Sequence, residues 1–372
     1  MKGSYMNSRE RLLAALDRRT PDRLPVTTHH LMPSFLAGME GIGELEFFDR
    51  FGLDAIRWIE VQSGNDRQEA AGWRIEQQEV PDHDYRTTRY RVVTPRGALT
   101  TVLQYDGRTE WVRERLIQEP RDLEPLVRFA PMPSCDVERV NREAEAFGKR
   151  GIVRAAVPGF PIYGQPGCWQ DAAVLFGIER LIVKTFDDPG WVMELLAFLQ
   201  SRKLAWLGSA QGARFDLLEL GGGDASSSVI SPALFDRFVV PFDAPLIAAA
   251  HQAGLRIVYH TCGGMMPILE RIADMRPDAM ETFTPRSMGG DADLGEAKRR
   301  VGQRVCMIGG FDQFHHFVGC TAGETRQAVR RCFEQAGPGG YVLAPSDHFF
   351  EAEAELLRAY ADEARSCVYS KT

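Results

Sequence analysis

No apolar run in the chain approaches the roughly 20 residues needed to cross a bilayer, so no membrane span is expected. Positive charge is not in excess either: 44 lysines and arginines face 51 aspartates and glutamates, for a net charge of −7. A nucleic-acid binder would show a basic face, and that class is set aside. Met1 to Arg11 lacks the apolar segment of a secretory signal. The seven cysteines, at 135, 168, 262, 306, 320, 332 and 367, are odd in number, widely scattered and without CxxC spacing. That fits a reduced chain and not a disulfide framework. A cytoplasmic protein is expected.

What is present is an ordinary globular composition, 44% hydrophobic and 26% charged over 372 residues, enough for one large domain or two average ones. A capped helix opens at Asn7 or Ser8, with Leu12, Leu13 and Leu16 as its buried stripe. Apolar runs predict strands at about 23–28, 54–58, 152–157, 215–220, 256–260, 278–283, 305–308 and 341–344, each followed by helical sequence. Such repeated alternation predicts an α/β fold of the (β/α)8 TIM-barrel kind. No GxGxxG follows the first strand, which disfavours a dinucleotide-binding open sheet. Residues 68–112 change character: alternating stretches flank Thr94-Pro95-Arg96-Gly97, a hairpin signature. They are too few to bury much of a core, so they read as an antiparallel insertion in a single domain spanning 1–372.

In such a barrel the active site forms at the C-terminal strand ends. Those ends carry His29 and His30, Trp58 and Glu60, Phe160, Glu219, His260 and Cys262, Glu281, Asp312, and Asp347 with His348. Of these, His260-Thr261-Cys262-Gly263-Gly264 is the most pointed. Side chains at i and i+2 of an extended chain face the same way, and an imidazole beside a thiol suits zinc. Each group also has a structural explanation. His260 can serve a neighbouring carbonyl, Cys262 can be a small buried hydrophobe, and Asp347 can cap the next helix. Glu219 is harder to dismiss, because a buried carboxylate needs a cation, metal or donor. Only one of His29 and His30 is expected to face the site. His315 and His316 read as solvated surface, and Cys306, Cys320, Cys332 and Cys367 as structural.

The chain resembles the uroporphyrinogen decarboxylase superfamily over nearly its whole length. The marks are Ser8-Arg9-Glu10-Arg11 with Pro21-Asp22-Arg23-Leu24-Pro25-Val26, Ser231-Pro232, His260-Thr261-Cys262-Gly263, Ile308-Gly309-Gly310 with Asp312, and Gly340-Tyr341-Val342-Leu343-Ala344-Pro345-Ser346. The resemblance implies a (β/α)8 barrel and, at family level, a homodimer. The haem-pathway enzymes hold porphyrinogen carboxylates with an arginine-rich Met-Arg-Gln-Ala-Gly-Arg-Tyr motif. The matching stretch here, Thr27-Thr28-His29-His30-Leu31-Met32, has no arginine, which disfavours a polyanionic tetrapyrrole substrate.

The other branch, the cobamide-dependent methyltransferases, binds zinc through His-x-Cys and a later cysteine. His260 and Cys262 match the first two ligands, and Asp347 stands where the later cysteine would be. The resemblance thus implies methyl transfer between a small ether, amine or thiol and a corrinoid (a methylcobamide) carried by a partner protein. Zinc would be held by His260 and Cys262, with Glu219 and Asp347 as further ligand candidates. His348 and one of His29 and His30 would move a proton. Two alternatives stand beside it: a metal-independent decarboxylase of a small aromatic or pyrrolic acid, with Asp347 or Glu219 as proton donor, and a non-catalytic corrinoid or tetrapyrrole carrier.

Overall fold

The computed structural model of the chain describes residues 5–61, 71–81 and 84–369. In chain order its strands are β1 (Ala55–Trp58), β2 (Arg74–Val80), β3 (Arg86–Thr94), β4 (Gly97–Tyr105), β5 (Glu110–Glu114), β6 (Gly151–Ala156), β7 (Leu217–Gly221), β8 (Ile257–His260), β9 (Ala279–Thr282), β10 (Cys306–Gly309) and β11 (Tyr341–Val342). One curled sheet has the order β1-β6-β7-β8-β9-β10-β11, and β2 to β5 form a separate sheet in sequence order. All pairings in the first are parallel; those in the second are antiparallel. Helices lie between successive parallel strands, so these strands are apolar on both faces, as parallel sheets covered by helices require. Among the described residues no helix is long and apolar enough to cross a membrane.

Two expectations need correction. The strand expected at 23–28 is not formed, and the parallel ladder has seven strands and does not close. At that place Val26 makes a single bridge to Leu343. The Thr27 N–H donates to Leu343 at 2.9 Å, and the Leu343 N–H to Pro25 at 2.9 Å. Pro25 has no N–H to give, and the Val26 N–H is taken by the Asp54 carboxylate at 3.0 Å instead of a strand carbonyl. The second correction concerns the insertion, which is a four-stranded sheet and not one hairpin. The outer strands β2 and β5 are mostly polar and half-exposed, as edge strands are, and so lack the alternation that betrays β3 and β4. The first residues expected in the insertion, 68–70, lie outside the described residues.

Below the sheet, the helix Ser8–Leu16 is capped by Asn7, with Glu10 completing a capping box. It delivers Arg11 to Asp54, a carboxylate that is 0% exposed: Arg11 donates at 2.6 Å and Arg23 at 3.1 Å. A buried pair broken from one side leaves an uncompensated charge, typically at ~3–5 kcal/mol. The Asp54→Ala variant is therefore expected to lose about that much stability, measured as the shift of its urea unfolding curve, and a change under ~1 kcal/mol would show that the network is not holding the helix.

Candidate functional site

Parallel register builds the site. Gly221 on β7, His260 on β8 and Glu281 on β9 are register partners in turn. Residues at one level of neighbouring parallel strands face the same side. The His260 Nδ1 accordingly lies 3.2 Å from Glu281 Oε1. Glu219, two residues before Gly221, faces the same way and sits 4.0 Å from the same nitrogen. Arg154, from the middle of β6, donates from one nitrogen to Glu219 at 3.1 Å and to both oxygens of Glu281 at 2.9 and 3.0 Å. Its guanidinium stacks over Trp58, 4.4 Å from the ring centre.

These contacts separate the two glutamates. Burial opposes ionisation of Glu281, but Arg154, His260 and His29 overcome it and hold the carboxyl well below the usual range. Glu219 is shifted upward, by burial first and then by repulsion from Glu281. Glu281 therefore carries the charge. Just beyond it, Thr282 and Phe283 have φ of 84° and 46°. Such backbone costs roughly 1–3 kcal/mol per residue and concentrates at functional sites.

Beyond the strand ends, Cys262 turns back toward β7. A methyl carbon added at Gly223 would stand 2.5 Å from its Sγ, and one at Gly221 would stand 2.4 Å from the His260 carbonyl. The glycine run is thus the space into which the His-x-Cys segment fits. Ligand atoms of His260, Cys262 and Asp347 lie within 4.8 Å of one another, as do those of His29, Asp347 and His348, and those of His29, Glu219, His260 and Glu281. An imidazole, a thiol and a carboxylate are a donor set that zinc accepts. Asp347 pairs with His348 Nδ1 at 2.8 Å. Its carboxyl is half-buried, which opposes ionisation, yet His348, His260 and His29 hold its pKa far down. The contact with Asp347 outweighs burial in His348 and raises that imidazole. Burial works against a charged His260, but Cys262, Glu219 and Glu281 together raise its pKa well above normal.

The structure brings His29, Glu219, His260, Cys262, Asp347 and His348 together. His30 points elsewhere, packing on Trp58 with ring centres 5.4 Å apart. Glu60 is exposed, and Phe160 is buried in the apolar core. Asp312 caps the short helix Gln313–His316 and pairs with the exposed His315 at 2.8 Å. Two residues with a part in the site were not singled out from sequence. Glu281 was visible only as one polar strand end among many. Arg154 had a clear signal, a charge inside the apolar run Ile152-Val153-Arg154-Ala155-Ala156.

Comparison with known proteins agrees with this architecture. The uroporphyrinogen decarboxylase (URO-D) family model matches residues 135–365. The chain belongs to that family. A methyltransferase from Methanosarcina mazei matches in structure with a TM-score of 0.65 and 14% identity, over 97% of this chain and 99% of its own. At that identity the likeness is one of fold. A B12-independent methionine synthase from Shewanella sp. W3-18-1, in complex with selenomethionine, covers 69% of each chain at 8% identity and a TM-score of 0.45, too low to carry an argument. No protein of curated function matches in sequence.

The glycine contact gives a direct test of the geometry. In Gly223→Ala the new methyl must displace the Cys262 thiol, while the backbone at 223 needs no positive φ. The variant is expected to keep its folding stability within ~1 kcal/mol, and any zinc held through Cys262 to bind at least ~10-fold more weakly, measured by competition with a chromophoric chelator. Unchanged zinc affinity would show that Cys262 is not a ligand.

Proposed function

We propose that the chain is a zinc-dependent methyltransferase, exchanging a methyl group between a small ether, amine or thiol and a corrinoid carried by a partner protein. The observation that carries this reading is the convergence of His260, Cys262 and Asp347 within 4.8 Å. The fold likeness to a methyltransferase, spanning 97% of this chain, supports it. On this reading the chain is one cytoplasmic domain built on the curled seven-stranded sheet, working as a homodimer.

Zinc supplies a Lewis acid to the heteroatom that carries or accepts the methyl group, and the partner's corrinoid supplies the other end of the transfer. The rest is the work of this chain. His260 and Cys262 are ligands, with Asp347 as the third and Glu219 as a further candidate. Glu281 accepts a hydrogen bond from His260 Nδ1 at 3.2 Å, which would fix the tautomer and leave the other ring nitrogen free to ligate. Arg154 keeps Glu281 ionised for that task. His348, with its pKa raised by Asp347, holds a proton for a leaving alkoxide or amine. The decarboxylase reading is less well supported: a substrate carboxylate would look for a guanidinium, and the charge of Arg154 is already offset by the Glu281 and Glu219 carboxyls.

Protein purified without a histidine tag is expected to contain zinc that His260→Ala and Cys262→Ala each remove. With free cob(I)alamin as the acceptor and a panel of methyl ethers, methylamines and methyl thioethers, both variants should lose at least ~100-fold in rate. Zinc-free wild type, or chelator-insensitive release of carbon dioxide from an aromatic or pyrrolic acid, would overturn the proposal.

A further inference from the structure

The three ligand groups at the strand ends are not equivalent. The group of His29, Glu219, His260 and Glu281 already contains its cation, because Arg154 lies 2.9 Å from Glu281 and 3.1 Å from Glu219. An ion placed among those carboxylates would stand against a guanidinium. The group of His260, Cys262 and Asp347 is the zinc centre proposed above. That leaves His29, Asp347 and His348, whose ligand atoms also lie within 4.8 Å of one another.

His29 is the unexplained member. Its side chain is only 10% exposed, and both ring nitrogens are buried with no hydrogen-bond partner. The nearest carboxylate oxygens to Nε2, on Glu281 and Glu219, are 3.6 and 3.8 Å away, outside hydrogen-bond range. A buried polar group left in that state costs ~1–3 kcal/mol. The ring nevertheless stays among charged groups, 5.4 Å from the His260 ring and 6.3 Å from the His348 ring, centre to centre.

We propose that His29, Asp347 and His348 hold a second divalent cation, with the Asp347 carboxylate shared between it and the ion of His260 and Cys262. The inference rests on the zinc-centre reading for its first ion. A carboxylate has two oxygens, and ions that share a site of this kind stand about 3.5–4 Å apart. The second site offers two imidazoles and a carboxylate but no thiolate, a set for zinc, cobalt(II) or manganese(II). The hydrogen bond between His348 and Asp347, at 2.8 Å, is the contact the ion would replace, so His348 serves as proton donor only while this second site is empty.

The test is a metal count with cobalt(II) alone as the probe. Chelator-treated full-length protein is loaded with cobalt(II), desalted and analysed by mass spectrometry, while the thiolate-to-cobalt absorption follows the Cys262 side separately. Wild type is expected to retain two equivalents. His29→Ala and His348→Ala should each retain one, with the thiolate absorption intact. Cys262→Ala should retain one without that absorption, and Asp347→Ala should weaken both. His348 is 39% exposed, so its truncation tests the site even where loss of the buried His29 disturbs folding. One equivalent in wild type, kept by the His29 and His348 variants and lost with Cys262, would overturn the second site and leave the zinc centre standing. Two equivalents that survive both histidine variants would place the second ion elsewhere and overturn it. No bound metal would overturn both readings.

Discussion

A guanidinium that is 1% exposed, carried in the middle of an apolar strand, governs the polar end of this sheet. Its burial would cost several kcal/mol without partners, so Arg154 can exist there only if other strands bring carboxylates to it. Glu281 gives both oxygens and Glu219 one, and the Trp58 face covers the remaining side. A desolvated cation over an indole contributes ~2 kcal/mol. Once Glu281 is held in this way it cannot swing, and its oxygen facing β8 fixes the His260 ring from the Nδ1 side. The orientation of the His-x-Cys segment is therefore set two strands away from where it is read. In the same way Gly223 accommodates Cys262 from β7. The site depends less on its own loop than on what neighbouring strands hold in place.

This explains which parts were legible in the sequence. Parallel strands buried on both faces announce themselves as apolar runs, and β1 and β6 to β11 begin within two residues of where those runs predict them. The segment at 23–28 has a similar run, but Pro25 has no N–H to give and the Asp54 side chain takes the Val26 N–H that a ladder would use. No apolar count contains that information. His260 and Cys262 were legible because their relation is local, two residues apart on an extended backbone. The tie between Arg154 and Glu281 spans 127 residues and follows no spacing rule. Only an unexplained charge in an apolar strand hinted at it. The choice between His29 and His30 fell between these cases: alternation dictates that one faces inward, but the bend after Thr28 decides which.

Asp347 is the position at which this chain departs most from what its resemblance implies, and the departure has a physical consequence. A cysteine there would present one soft atom. A carboxylate presents two hard ones. Here it touches His348 while also lying within 4.8 Å of His260 and Cys262, and the surrounding imidazoles hold its pKa down against partial burial. Replacing a thiolate by a carboxylate leaves more positive charge on the metal, so the proposed centre would favour oxygen or nitrogen over sulfur on its substrate. Ethers and amines are poorer leaving groups than thiols and need a proton as the carbon–heteroatom bond breaks. His348, whose pKa is raised by this same carboxylate, is the group that would provide it. On the proposed reading the residue at this one position would thus harden the Lewis acid and hold a Brønsted acid beside it, which favours an ether or amine over a thiol as substrate.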